Sequence, residues 1–434
     1  MHSPSRRSFL AASAAIPFAS SRREGVAAAN DRVTLVFIGV GRIGRGHLDA
    51  FLLRPGFEVV AVCDVVGERR DAGRAATEKR YADRVKSGVF KGVRAYSDFR
   101  DLLAHKGLDA VLIATPDHWH AIPCVLAARA GKHIYCDKPL TQNIADGRRV
   151  VDEVTKAKVV FQTGSQQRSE FNGYFRKAVE HVRGGRIGRL RTIRIGVGGP
   201  ATPCDLPGPP VPPGTDWDAW LGPAPERPYN EVLCPRGVHT HFPAWRKYQE
   251  YAGGALADLG AHHFDIAQWA MGTDRSGPVE VIPPTDPTRD AGLQFVYASG
   301  VVMIHNEFTT GPGGKELKAD CVFEGTAGTI LVRRDGIWSV PKDVLEEEEE
   351  PGTKGNVPPP TSDHKTNWLD AIKANADPIC PAEIGHRTSS VCQLGNIGYR
   401  LKRKLTWDPV TELFVGDDAA NKELVREPRG KWKI

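Results

Sequence analysis

No stretch of this 434-residue chain approaches the roughly 20 consecutive apolar residues that a membrane-spanning helix needs, which argues against an integral membrane protein. There is little excess charge of either sign. Lysine and arginine number 58 against 52 aspartates and glutamates, a formal net charge of +6. Half of that excess sits in the first 29 residues, where Arg6, Arg7, Arg22 and Arg23 stand against Glu24. What remains for the body is too weak to mark a nucleic-acid binder. The eight cysteines contain no Cys-x-x-Cys pair and are irregularly spaced, so zinc is poorly supported. No segment repeats at a fixed period. Hydrophobic residues make up 41% and charged residues 25%, which excludes disorder, collagen and coiled coil as the main state. The length exceeds one ordinary domain and fits two, or two plus a tail.

The N-terminus carries an address. Ser5-Arg6-Arg7-Ser8-Phe9-Leu10 is a twin-arginine pattern, followed by an apolar, alanine-rich run over 9–19. Small residues then offer cleavage sites, with Ala27-Ala28-Ala29 before Asn30 foremost. This order reads as a Tat export signal over 1–29, set aside from fold reasoning, and points to a periplasmic protein. Disulfides are then permitted. Cys204 and Cys234 lie in loop-like sequence and could pair, whereas Cys63 and Cys124 sit in apolar contexts and read as small buried hydrophobes.

From residue 31 apolar runs alternate with helical patterns. Strands are expected at 33–38, 58–63, 110–114, 133–136 and 159–163, with helices from about 43, over 67–86, 122–130 and 144–157. Such alternation implies an α/β domain over 31–163 with a doubly wound parallel sheet. Residues 164–434 read as an α+β domain. Residues 190–197, 293–297, 301–308, 318–324 and 329–333 suggest a mostly antiparallel sheet, open on one face. Residues 200–228 are too rich in proline for regular structure. Glu346 to Glu350 read as a solvated loop, and 363–374 and 387–401 as helices.

Gly39-Val40-Gly41-Arg42-Ile43-Gly44 is a G-x-G-x-x-G between an expected strand and an expected helix. Gly39 permits the tight turn, Gly41 lets backbone approach a pyrophosphate, and Gly44 lets helix and strand pack closely. The helix N-terminus, with Arg42 and Ile43, presents free N–H groups to phosphate. Asp64, 20 residues past Gly44 at the end of the second strand, is placed to take the ribose hydroxyls of NAD. Arg69 and Arg70 leave NADP as the other choice.

Lys138, in Cys136-Asp137-Lys138-Pro139, ends another strand, where side chains face the ligand crevice of a doubly wound sheet. Thr115, Pro116 and His118 end the strand at 110–114 and are further crevice candidates. Gly253 to Asp265 should become helical near Asp258. Asp258 and His262 are four apart, so on one helix face the carboxylate could hold His262 in one tautomer as a proton acceptor. Asp265 falls near the same face. The competing reading is a capping Asp258 and a core His262. A zinc site from His118, His120, His262 and His263 lacks helical ligand spacing.

The glycine loop, the Asp-Lys-Pro turn and the Asp258…His262…Asp265 segment together resemble the Gfo/Idh/MocA oxidoreductases, as an exported branch, over nearly all of the chain after residue 31. The resemblance implies a Rossmann domain, an α+β domain whose open sheet often forms an oligomer interface (a homodimer or homotetramer), and NAD or NADP as cofactor. It implies oxidation or reduction of a secondary alcohol of a sugar, glycoside or cyclitol. Lys138 is then the motif lysine, His262 the catalytic base and Asp258 its support, with Asp265 and Arg168 toward the substrate. The family's usual acid before the lysine is glutamate; Asp137 is one methylene shorter. Trp217, Trp220 and Trp245 could stack on a sugar ring, with core packing expected for at least one of them. Export favours a tightly held, recycled cofactor. It also keeps open an NAD-dependent glycoside hydrolase acting by transient oxidation and elimination, although the tyrosine/histidine arrangement of such relatives is not identifiable here. A non-catalytic sugar sensor would be expected to lose Lys138 or His262, and both are present.

Overall fold

The structure, a computed structural model, describes residues 32–311, 314, 316–346, 357 and 363–433. The twin-arginine segment and most of the glutamate run lie outside the described residues. The first sheet holds β1 (Val33–Ile38), β2 (Phe57–Cys63), β3 (Arg94–Tyr96), β4 (Ala110–Ile113), β5 (His133–Cys136) and β6 (Phe161–Thr163). All pairs are parallel, in the order β3-β2-β1-β4-β5-β6. The strand order reverses between β1 and β4, and that switch point opens a crevice beyond their carboxyl ends. The helices α1 (Arg42–Leu52), α2 (Gly67–Arg80), α3 (Ala82–Lys86), α4 (Phe99–Leu103), α5 (Ala121–Arg129) and α6 (Ile144–Ala157) form the crossovers. The stretch 67–86 breaks at Tyr81 rather than forming one helix. Asp98 caps α4, accepting from Arg100 N at 2.8 Å. β3 and α4 are too short for their patterns to stand out in sequence.

The second sheet has nine strands in the order β15-β14-β13-β7-β10-β9-β8-β16-β17. They are β7 (Leu190–Ile195), β8 (Glu280–Ile282), β9 (Gln294–Val296), β10 (Val302–His305), β13 (Cys321–Gly325), β14 (Thr329–Arg333), β15 (Gly336–Val340), β16 (Leu405–Asp408) and β17 (Leu413–Phe414), while β11 (Thr309–Thr310) and β12 (Glu316–Leu317) pair separately. The sheet is mostly antiparallel, with β7 and β10 running parallel. One face buries Ile193, Phe295, Met303 and Phe323 under α7 (Tyr174–Arg183), α9 (Gly254–Asp258), α10 (Gly260–Met271) and α12 (Ala382–Leu401). The proline-rich segment is not wholly irregular. Asp216 accepts from Ala219 N at 2.9 Å and caps the one-turn α8 (Trp217–Leu221). All eight cysteines are free thiols, Cys204 and Cys234 included.

The chain's last third returns to the first sheet. Trp368 of α11 (His364–Ala374) packs among Phe51, Phe57 and Tyr135 beneath β1 and β5. Arg148 of α6 grips Glu412, before β17, through two bonds of 2.9 Å and Glu383 of α12 at 2.8 Å. His386 Nε2 lies 2.7 Å from the same Glu412. Burial raises the Glu412 pKa, but Arg148 and His386 outweigh it and hold the carboxyl well below its usual range. The ionised form therefore stabilises the fold above the unfolded carboxylate range, and this contribution is lost as pH falls through the depressed folded value. Glu412→Gln is expected to cost about 2 kcal/mol at pH 7. In denaturant titrations the gap between the variant and the wild type should close as the pH drops below about 4.

Candidate active site

A cavity of about 940 Å³ runs between the carboxyl ends of β1, β2, β4 and β5 and the second domain. At one end is the glycine loop. Gly39 holds φ +87°, and a Cβ on it would strike the Ala114 carbonyl at 2.7 Å. A Cβ on Gly44 would lie 2.0 Å from the Gly39 carbonyl oxygen, so α1 reaches β1 only without a side chain there. A Cβ on Gly41 would meet nothing within 4 Å, and Gly41 lines the open crevice with Arg42 and Ile43. Such a bare cradle at a helix N-terminus suits a pyrophosphate. Asp64 borders it, its carboxylate held by Val40 N (3.0 Å) and Val66 N (2.9 Å).

A strap from the second domain crosses this end. Arg42 Nε donates to Thr240 O at 2.9 Å, Arg45 to His239 O, and Arg69 to Gly237 O at 2.9 Å and to Pro235 O. Arg70 is turned to Ser97 Oγ at 2.6 Å. These guanidinium groups are committed to protein partners beside Asp64.

In mid-crevice, Lys138 Nζ donates to the Asp258 carbonyl at 2.6 Å and to its Oδ1 at 2.7 Å. Arg246 Nε lies 3.5 Å from the other Asp258 oxygen. Burial raises the Asp258 pKa, and Lys138 and Arg246 more than reverse it, leaving it lowered. Asp137 lies 3.6 Å from His47 Nε2. Burial opposes its charge too, yet His47, Lys138 and His120 bring its pKa to about 2. His262 lines the same wall, with Nδ1 buried and without a hydrogen-bond partner among the described residues. Burial, then the charges of Lys138 and Arg334, push its pKa well below the histidine range, so the ring is neutral.

Four expectations need correction. Asp258 does not orient His262. The helix tightens at Leu259, where His262 N bonds the Leu259 carbonyl at 3.0 Å, and Asp258 turns to Lys138 instead. Helix begins at Gly254, ahead of Asp258. Arg168 and Asp265 do not reach the crevice. They form a two-pronged pair of 2.7 and 2.8 Å, 2% and 0% exposed, with Asp274 and Thr388 completing it and the guanidinium over Trp269. His118 turns from the cofactor crevice into a smaller cavity of about 330 Å³, its Nε2 3.0 Å from Trp220 O, while Thr115 and Pro116 do line the large one. Among the described residues no three His, Cys, Asp or Glu side chains converge as metal ligands, so His118, His120, His262 and His263 form no cluster. Trp220 and Trp245 line the crevice, while Trp217 stacks behind Trp220 at 4.7 Å. The sequence reading missed Arg246, Arg334 and Trp432 as crevice residues. None sits in a motif; each arrives by tertiary contact.

A parallel-sheet nucleotide cradle joined across a crevice to a lysine–aspartate pair and a neutral histidine defines a two-domain, dinucleotide-dependent class of protein. The model for an oxidoreductase family with an NAD-binding Rossmann fold matches residues 33–165, and that family's C-terminal alpha/beta domain matches 202–434. The chain belongs to the Gfo/Idh/MocA oxidoreductase family. It is similar to the myo-inositol 2-dehydrogenase of Thermotoga maritima, 30% identical over 270 residues, which are 62% of this chain and 59% of that protein. The chain thus spans about three fifths of that curated relative's length. Its fold is similar to the WlbA dehydrogenase of Bordetella pertussis, solved with NADH and UDP-GlcNAcA (TM-score 0.57, 21% identity, 87% of this chain and 99% of that one). It is also similar to the aldose-aldose oxidoreductase of Caulobacter crescentus, solved with glycerol (TM-score 0.55, 18% identity, 86% and 99%).

Removing Asp265 takes the two-pronged partner from the buried Arg168 guanidinium and leaves it the part-exposed Asp274 carboxylate. Asp265→Asn is expected to lower stability by about 3–5 kcal/mol. Any folded fraction should keep its substrate KM; a selective rise in KM at unchanged stability would instead restore a substrate role.

Proposed function

We propose that this protein is an NAD-dependent oxidoreductase acting on a secondary alcohol of a sugar, glycoside or cyclitol. The observation that carries the reading is the Lys138–Asp258 pair and the neutral His262 on the wall of a crevice that ends in the glycine cradle. NAD, which Gly39, Gly41, Gly44 and Asp64 would hold, would supply the acceptor for the hydride that leaves the carbinol carbon. His262 takes the hydroxyl proton, help worth about 10²–10⁴ in rate. Lys138 has three N–H donors and gives two to Asp258, so one is free for the substrate oxygen as alkoxide charge develops. Asp258 thus acts by fixing the ammonium. Ketone reduction runs the same steps in reverse.

Asp64 disfavours a 2′-phosphate, and Arg69 and Arg70 are spent elsewhere, which supports NAD over NADP. The strap bonded to Arg42, Arg45 and Arg69 supports a cofactor retained between turnovers, as sugar-to-sugar exchange requires. The twin-arginine pattern supports export to the periplasm of the mature chain from Asn30. The open face of the second sheet, with Val296, Val302 and Ile304 half-buried and Trp338 47% exposed, supports assembly with further copies.

Protein purified without added cofactor and then denatured is expected to release stoichiometric NAD, read by mass spectrometry; its absence refutes retention. Lys138→Ala should lower kcat by about 10²–10³, and undiminished turnover on the active sugar removes the mechanism. Because His262 is already neutral, kcat for oxidation should stay level from pH 8 to pH 6 and fall only below that. A break at the ordinary histidine value of ~6.5 counts against His262 as the base.

A further inference from the structure

His120 follows the Asp117–Trp119 turn and begins the passage into α5. Its side chain is 1% exposed. Nδ1 lies 2.8 Å from the carbonyl oxygen of Pro139, and Nε2 lies 3.0 Å from the carbonyl oxygen of Thr115. A carbonyl oxygen only accepts. A neutral imidazole carries one N–H and one lone pair, so it would satisfy one contact and aim a lone pair at the other oxygen. Flipping the ring would set C–H groups against both carbonyls. Only the doubly protonated ring donates to both.

The two oxygens belong to the turns that matter most in the proposed reaction. Thr115 opens the turn after β4 that lines the cofactor side, and Pro139 follows Lys138 after β5. We infer that His120 is a permanent imidazolium that clamps the Thr115-Pro116 turn to the Lys138-Pro139 turn and is thereby a positioning residue for Lys138. The positioning half rests on the oxidoreductase reading; the charge does not.

The surroundings fit a cation. Burial opposes it, while the Asp117 carboxylate and the Pro139 carbonyl raise the ring's pKa; the Cys136 thiol beside it is pushed up by its own burial and is neutral. Asp117 is 5% exposed, and its Oδ2 has no hydrogen-bond partner among the described residues. Asp117 is faced by His120, Asp258, Lys138 and Arg246, and Asp137 also feels His120. Burial raises the Asp117 carboxyl to about 7, and the neighbouring His120, Lys138 and Arg246 favour its ionised form.

The test uses the whole protein labelled with 15N-histidine. Long-range 1H–15N spectra of the wild type are recorded from pH 6 to 8.5, with His120 assigned by its loss in His120→Gln and His120→Asn. Both ring nitrogens should keep imidazolium shifts throughout. A lone-pair nitrogen signal for His120 at pH 7.5 overturns the proposal, and this reading needs no variant to be active. In kinetics, asparagine keeps a donor on the Nδ1 side and glutamine one on the Nε2 side. Each should lower kcat by about 10²-fold with NAD still bound and KM for the sugar little changed. Unchanged kcat in both removes the positioning role. Absence of NAD-linked turnover in the wild type would refute the oxidoreductase reading, and with it the positioning role, while the spectrum still decides the charge.

Discussion

Lys138 takes the Asp258 carbonyl that a regular helix would have given to the amide of His262, and much of the site follows from that exchange. With its carbonyl occupied at 2.6 Å, Asp258 ends α9, and His262 N bonds Leu259 O, three residues back, to start α10. The carboxylate of the same residue then reaches Lys138 at 2.7 Å. One ammonium group thus closes the end of a helix, breaks the face that Asp258 and His262 would have shared, and ties the turn after β5 to the second domain. A cation is well placed at a helix carboxyl end, where carbonyls lack partners.

The crevice keeps its shape because further links join the two domains, behind it and across its glycine-loop end. Trp368 is buried under the first sheet although its helix follows the second sheet in sequence, and Arg148 binds Glu383 and Glu412 at once. Strap carbonyls occupy Arg42, Arg45 and Arg69. Arg148 and Arg69 each meet two fixed acceptors, the geometry in which a partly buried charge offsets its desolvation.

Charge in the site is sorted by partner. Lys138 and Arg246 face Asp258, Asp137 faces His47, and His120 faces two carbonyls. His262 is buried beside cations with no carboxylate of its own, so it stays neutral. Under the proposed reaction the neutral ring is the proton acceptor, and an alkoxide developing there would meet positive charge already in place.

What the sequence determined by itself was local. The alternation of apolar strands and helices, the G-x-G-x-x-G with Asp64 twenty residues on, and Lys138 at a strand end follow from backbone periodicity and from what glycine permits, and these need no distant partner. The class of fold and its cofactor cradle were therefore legible. What only the tertiary structure decided is which charge meets which. Asp258 belongs to Lys138 rather than to the histidine four residues on, because a side chain 120 positions away captured its carbonyl. Arg168 and Asp265 satisfy each other in the core instead of facing the crevice, and His118 turns toward Trp220. Arg246, Arg334 and Trp432 reach the cavity from a 3-10 helical turn, a β-turn and the C-terminal segment. Pairing of buried charges depends on distances across the fold and on the desolvation each group undergoes, and spacing along a chain carries neither.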